Sequence, residues 1–591
     1  MISRKLSRRV LLSLLLLGLL CVSARASFAQ RRPTAPRLLP EDTLIYLRIE
    51  DVPKLIERFR DTALGRITGD PQVQPFVGHL YQSAVGAFSQ LEDRVGLSLG
   101  ELLELPQGEL CVAVVAREDG GPELVFLADL GHQLVQVERL LTRVDDELGA
   151  MGATRSVEEV DGTEIVTHQL PVRSRQLNYF TRDETIVVTS NTHLAKQLLT
   201  VWRGSNEFKT MADNRAFTGI MSRCNGFRGE RPQITWYANP IEFIRRVGRG
   251  NLSAQVGLVT MATLGLDGLR GVGGSIIQGT EEFDSIFHAH VLLKSPRQGI
   301  MKMIALGAGD VTPEPWVPED AANYTTFHWD VNTTYNELSR LYDSFYNEGA
   351  WQELMASRVS NQLGVDLEQQ ILAGLTGRVS MVTWIEKPAR LNSQATLFGF
   401  KLADAKKFSD TLDQMAERLQ DRVNKESYGS TTIYLLNITR RREVNPDIVR
   451  QQQPCAAVVG DYVILTDSLK FLKEVIATKR DSQKSLANEL DFKLIANKIE
   501  RQLGENQAGL VSFDRPEEGF RLLYGLAVSP ETRARLAARE QNPFFKALHD
   551  ALEEKPLPPF SVLVRYLAPG GAMLTNDETG FHYTAFTLRR K

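Results

Sequence analysis

Alternation of apolar and polar positions is the first signal in the chain. "TLIYLRI" sets Leu44, Tyr46 and Arg48 on one face of a strand and Ile45, Leu47 and Ile49 on the other. "DSIFHAHVLL" sets Ile286, His288, His290 and Leu292 against Phe287, Ala289 and Val291 in the same way. Turn residues at Asp119-Gly120-Gly121, Asp161-Gly162 and Tyr428-Gly429-Ser430 predict hairpins, and so antiparallel pairing. Helical spacing follows or interrupts the hairpins in "DVPKLIERFRDTAL", from His132 to Leu148 and from Asn191 to Val201, with Asn191 and Asp467 placed to cap the helices they introduce. The strict strand-helix alternation of a doubly wound fold is missing. The pattern therefore predicts an α+β class, an antiparallel sheet unit with helices packed on one face.

The unit is written twice. Pro40-Glu41-Asp42 and Pro318-Glu319-Asp320 open two collinear series of seven blocks, in which "ELVFLADLGHQLVQVERLLTRV" is answered by "ATLFGFKLADAKKFSDTLDQMA" and "GTEIVTHQL" by "STTIYLLNI". "DETIVVTSNTHLAKQLL" is answered by "GDYVILTDSLKFLKEVI", each strand ending in Thr189 or Thr466 before a helix. The series close on "GGSIIQGTEEFDSIFHAHVLL" and "GGAMLTNDETGFHYTAFTLRR". Collinearity predicts a tandem duplication of residues 37–300 and 312–591, divided near Thr312, with loops that have changed length more than the elements they join.

A chain of 591 residues exceeds what one hydrophobic core holds, and 43% hydrophobic with 24% charged residues is ordinary globular composition. Residues 1–29 read as a signal peptide: Arg4, Lys5, Arg8 and Arg9 precede an apolar run from Val10 to Ala24, and small residues follow at Ala24, Ala26, Ser27 and Ala29. That run is too short to span a bilayer as a helix, so no stable membrane span is expected after cleavage, and the protein is expected in the periplasm or outside the cell. Without the leader, 64 basic residues stand against 72 acidic ones. This acidic balance argues against nucleic acid as a partner, and favours no acidic membrane surface either. Cys111, Cys224 and Cys455 form no disulfide framework and no Cys-x-x-Cys, although the spacing leaves one bridge open.

Chemistry is sparse. His288 and His290 share one strand face, as two metal ligands would, and are the candidate metal residues; polar residues on the exposed face of a terminal strand account for the pair equally. His582 takes the place of His288 in the second copy, while Thr584 replaces the second histidine. The glycines of "GLDGLRGVGGS" and "GAGD" complete no phosphate-binding motif, and no metalloprotease helix, nucleophile elbow or EF-hand loop occurs. No catalytic or cofactor-binding residue is named and no cofactor is expected. Basic loops stand at the same place in both copies, "PVRSRQ" and "TRRREVNPDIVRQQQP", as solvated loops or as a rim facing a ligand or partner.

The opening "LLPEDTLIYLRIEDVPKLIERFRDTALGRITGDPQVQPF" resembles a family of large exported bacterial proteins known only as a domain of unknown function, in which a Leu-Pro-x-Asp-Thr strand follows the signal peptide and "ALG" and "xDPQ" phrases come next. The resemblance covers about forty residues closely and implies export, but no activity. The expected function is that of an exported, non-enzymatic binding or structural protein, its partner an unknown protein or a small apolar ligand, with the two copies forming one cleft or one continuous sheet surface. A periplasmic or surface hydrolase with a site between the copies, and a carrier of lipid or another apolar ligand, are the alternatives.

Overall fold

The computed structural model describes residues 32–590 apart from 118–120, 172–174, 228, 389, 438–448, 505–506 and 540. The expected signal peptide over 1–29, the turn at Asp119-Gly120, residues 172–174 of the first basic loop and 439–448 of the second therefore lie outside the described residues. Among the described residues, no helix is long and apolar enough to cross a membrane.

The first half contributes β1 (Thr43–Ile49), β2 (Leu110–Ala116), β3 (Pro122–Asp129), β4 (Thr154–Val160), β5 (Thr163–Gln169), β6 (Gln176–Arg182), β7 (Thr185–Thr189), β8 (Ile234–Ala238), β9 (Leu269–Gln278) and β10 (Phe283–Leu293). The second contributes β11 (Asn323–Trp329), β12 (Leu375–Ile385), β13 (Gln394–Leu402), β14 (Val423–Tyr428), β15 (Thr431–Leu436), β16 (Cys455–Val459), β17 (Tyr462–Thr466), β18 (Ala508–Asp514), β19 (Gly570–Asp577) and β20 (Gly580–Leu588). All of these pair antiparallel, in the order β4-β5-β6-β7-β3-β2-β1-β8-β9-β10 in the first half. The order in the second is β14-β15-β16-β17-β13-β12-β11-β18-β19-β20. Each strand of the second half thus stands where the strand numbered ten lower stands in the first. The last strands, β10 and β20, pair with each other and make one continuous sheet of the two halves.

The helices that matter below are α1 (Val52–Asp61), α2 (Leu134–Ala150), α3 (Thr192–Trp202), α4 (Arg215–Arg223), α5 (Pro240–Val247) and α6 (Leu252–Thr263), followed in the second half by α7 (Val331–Phe345), α8 (Ala405–Arg418), α9 (Leu469–Arg480) and α10 (Leu490–Leu503). Asn191 caps α3 by accepting the His193 N–H at 2.7 Å. The cap of α9 is Ser468, one residue beyond the expected Asp467, and Asp467 instead accepts from Arg450 at 2.6 Å.

On one sheet face Tyr46, Val125, Leu127 and Val187 lie under Leu194 and Leu198 of α3 and Phe217 and Ile220 of α4. The matching face of the second half sets Leu397, Ile464 and Phe513 under Phe471 of α9 and Phe492 and Ile495 of α10. Each such apolar side chain contributes roughly 2 kcal/mol when fully buried. Ile277, Phe283 and Ile286 from the first half belong to this second core, so the halves are packed together across β10 and β20.

The α+β class agrees with the sequence pattern, but confinement of helices to one face does not hold. Ala128 and Ile186, whose side chains alternate away from Leu127 and Val187, pack with Val137 of α2. Leu402 and Val463 likewise pack with Phe408 of α8. The opposite face is only partly covered: Ile45 is 38% and Leu47 47% exposed. The repeated double glycine is one residue out of phase. A Cβ on Gly273 would fall 3.0 Å from Ile220 under α4, whereas in the second half it is Gly571 whose Cβ would meet Ile495 of α10, at 2.4 Å. A bare backbone at these places lets each helix lie close to its strand.

Candidate functional site: an apolar pocket and a histidine seam

His288 and His290 do share one face of β10, as their spacing requires. Neither the terminal strand nor the exposed face holds, because β10 sits mid-sheet between β9 and β20, and the histidines are 2% and 1% exposed on the side covered by α4. His582 of β20 lies opposite His290 in register, and Thr584 opposite His288. The rings of His288 and His582 stack at 5.5 Å between centroids, with Phe227 edge-on to His288 at 5.5 Å. The Thr584 hydroxyl lies 3.1 Å from His288 Nδ1 and 3.2 Å from His582 Nε2. Burial pushes all three imidazoles down to about 4, helped by His582 at His288 and by Arg223 at His290 and His582. They are neutral at pH 7. Both ring nitrogens of His290, Nε2 of His288 and Nδ1 of His582 meet no hydrogen-bond partner among the described residues. No group of three His, Cys, Asp or Glu side chains among the described residues is placed to hold a metal ion.

The concave feature with clear chemistry lies elsewhere, on the partly covered sheet face of the second half. There Leu412, Met415 and Leu419 from α8 and the residue after it stand over Phe398 of β13, Leu436 of β15 and Leu465 of β17, around a pocket of about 580 Å³. Phe398, Leu436 and Leu465 are 42%, 45% and 42% exposed, unusual values for large apolar side chains that share a concavity. Polar groups are few. Tyr434 turns its hydroxyl away to donate to Asp413 at 3.0 Å, and Asp413 also accepts from Lys425 at 2.6 Å. Burial and that carboxylate push the Tyr434 phenol up to about 12. Asp467 at the rim is held by Arg450.

Hairpin turns give the register that matches this pocket to the first half. Counting from Val160↔Thr163 and Tyr428↔Thr431 makes His168 the counterpart of Leu436. Counting from Arg182↔Thr185 and Val459↔Tyr462 makes Tyr179 the counterpart of Ala456. Asp145 lies eight residues beyond the buried Val137 on α2, as Ala416 lies eight beyond the buried Phe408 on α8. In the first half the three side chains bond to one another: His168 Nε2 is 2.7 Å from Asp145 Oδ1, and the Tyr179 hydroxyl donates to the same carboxylate at 2.9 Å. Arg155 adds a donor at 3.0 Å. Their counterparts Leu436, Ala456 and Ala416 all line the pocket.

A second pocket, of about 590 Å³, is polar and belongs to the first half; Glu41, Asp42, Glu123 and His193 line it, without a Ser, Thr or Cys among the described residues of its wall. Each pocket lies within a single half. Cys111, Cys224 and Cys455 are buried free thiols, and burial pushes Cys224 and Cys455 up to about 12, which leaves them unreactive. Arg450, counted from sequence among the basic loop residues, points inward at 2% exposure and donates to the carbonyls of Asn392, Gln394 and Asp467. Compared with protein-family models, curated proteins and solved structures, the chain matches none. The likeness of its opening residues to an exported family thus stands on those residues alone.

Proposed function

We propose that this chain is an exported, non-enzymatic binding protein that takes an apolar small molecule in the pocket between α8 and the sheet of its second half. The pocket carries the reading: about 580 Å³ falls within the range of small-molecule sites, and its wall offers almost no hydrogen-bonding group. A ligand held there gains by leaving water, and is selected by shape and apolar area rather than by polar recognition. Duplication supplies the frame. Two copies of one unit, the second opened and the first filled with a polar cluster, join their sheets through β10 and β20.

The test uses the chain from residue 30, purified without detergent. Native mass spectrometry is expected to find a retained mass of a few hundred daltons, or else the empty protein is expected to take up an apolar fluorophore such as N-phenyl-1-naphthylamine. Ala456→Tyr should abolish either signal. No bound mass together with no uptake sinks the proposal, and so does binding that Ala456→Tyr leaves intact.

A further inference from the structure

We infer that α6 is a membrane-surface element that docks this protein on an anionic lipid bilayer. Residues 252–263, "LSAQVGLVTMAT", form a twelve-residue helix without one charged side chain, and none of its residues is buried. Its principal neighbours are α5 and the short turn at Leu266–Gly268. Ala254, Gly257, Leu258 and Met261 are the half-buried positions that face this support, spaced three or four apart. Leu252, Val256 and Val259 form a stripe on the other side, 76%, 58% and 71% exposed. An uncharged helix that presents large apolar side chains on its outer side is ordinarily covered there, by protein or by lipid. Nothing among the described residues encloses this one.

Charge decides between the occupants. Residues 240–270 hold Arg245, Arg246, Arg249 and Arg270 against Glu242 and Asp267, a local positive balance in a chain that is acidic overall. Arg245 and Arg246 both bond Glu242, and Arg246 also bonds Asp42, so the cluster before α6 is charge-balanced, while Arg270 and Lys294 are exposed beyond its end. Exposed apolar side chains beside these two cations match the headgroup and acyl boundary of an anionic membrane. A second copy docking through the same stripe about a twofold axis would bring these cations toward their own images, which opposes that contact. The inference does not depend on the pocket, although a protein that carries apolar molecules gains a place to load or deliver them.

The experiment is co-sedimentation of the chain from residue 30 with vesicles of phosphatidylcholine, with and without phosphatidylglycerol. Binding is expected to be at least about tenfold stronger with phosphatidylglycerol and to fall with added salt. The double substitution Val256→Asp and Val259→Asp should weaken it by at least about tenfold, and Arg270→Glu should remove part of the phosphatidylglycerol preference only. Because the stripe is exposed, both variants are expected to keep wild-type circular dichroism; Val256→Trp gives an independent reading, a blue-shifted emission on vesicles. Sedimentation equal for wild type and the double variant would overturn the inference. So would self-association that the double variant abolishes without any vesicle binding, which would assign the stripe to a second copy.

Discussion

The same three positions do opposite things in the two halves. In the first, Asp145 gathers His168, Tyr179 and Arg155 into a hydrogen-bonded cluster between α2 and the sheet. In the second, Ala416, Leu436 and Ala456 leave that space open and apolar. Strand order and pairing are shared, so side-chain volume and polarity at these three positions mark the difference. A pocket here needs no new fold. It needs three large or polar residues to be absent from a position the architecture already builds, and a frame whose two halves match in strand order lets one half keep them.

The largest expected effect comes from removing the centre of the filled version. Asp145→Ala would strand the His168 ring, 1% exposed, and the Tyr179 hydroxyl without their acceptor, at a cost of about 3 kcal/mol in urea unfolding. Ala416→Val, at the matching place beside an open pocket, should change stability by less than about 1 kcal/mol. Equal costs at the two sites would break the comparison.

Filling the open version is the converse test. Ala456→Tyr puts the first half's residue into the second, and is expected to weaken uptake of an apolar fluorophore by about a hundredfold, roughly 2.7 kcal/mol, with an unfolding midpoint near wild type. A midpoint that collapses instead would mean that the second half cannot accommodate what the first contains.

How much of this could be read from residues follows from which contacts are local. The strands ending at Thr189 and Thr466 and the Asn191 cap depend on neighbours in sequence, and all lie where the pattern places them. The pocket depends on α8, β15 and β16 meeting, and each contributes one unremarkable Ala or Leu. Nothing in "STTIYLLNI" marks Leu436 as a wall. Periodicity set His288 and His290 on a common face but not on which one, because both faces of β10 carry apolar residues, and the pairing with β20 that buries them joins the middle of the chain, at Phe283–Leu293, to Gly580–Leu588. Asp467 lost the cap to Ser468 because Arg450, from a distant loop, takes its carboxylate.

The seam extends the comparison to where the halves touch. His288, His290 and His582 have folded values near 4, below the 6.5 of a free imidazole, so the unfolded chain binds more protons between these limits. Their contribution is intact above pH 6.5 and is lost as pH falls toward 4. By pH 5 the loss should reach about 2 kcal/mol for a single histidine, and His290→Leu should make the urea midpoint less sensitive between pH 7 and pH 5. Fluorophore affinity measured under folded conditions should stay flat over that window, since none of the three histidines lines the pocket. A pocket that empties in step with the seam would show that the halves act as one unit rather than as a filled and an open copy.

The smallest effect tests the shared frame itself. Asn191 and Ser468 cap α3 and α9, helices that cover the main cores at matching places, with different side chains doing the same work. Asn191→Ala removes one acceptor from a first helical turn and should cost about 1 kcal/mol, whereas Ser468→Ala also removes the hydroxyl's donation to Glu386 at 3.1 Å and should cost about 2 kcal/mol. Because the caps lie far apart and share no partner, the double variant should show the sum within about 0.5 kcal/mol. Additive losses of these sizes would mean that the halves differ in what they enclose and not in how they are held. A Ser468→Ala cost above about 3 kcal/mol would place the difference in the frame as well, and the open pocket would then reflect a second half that is packed differently throughout.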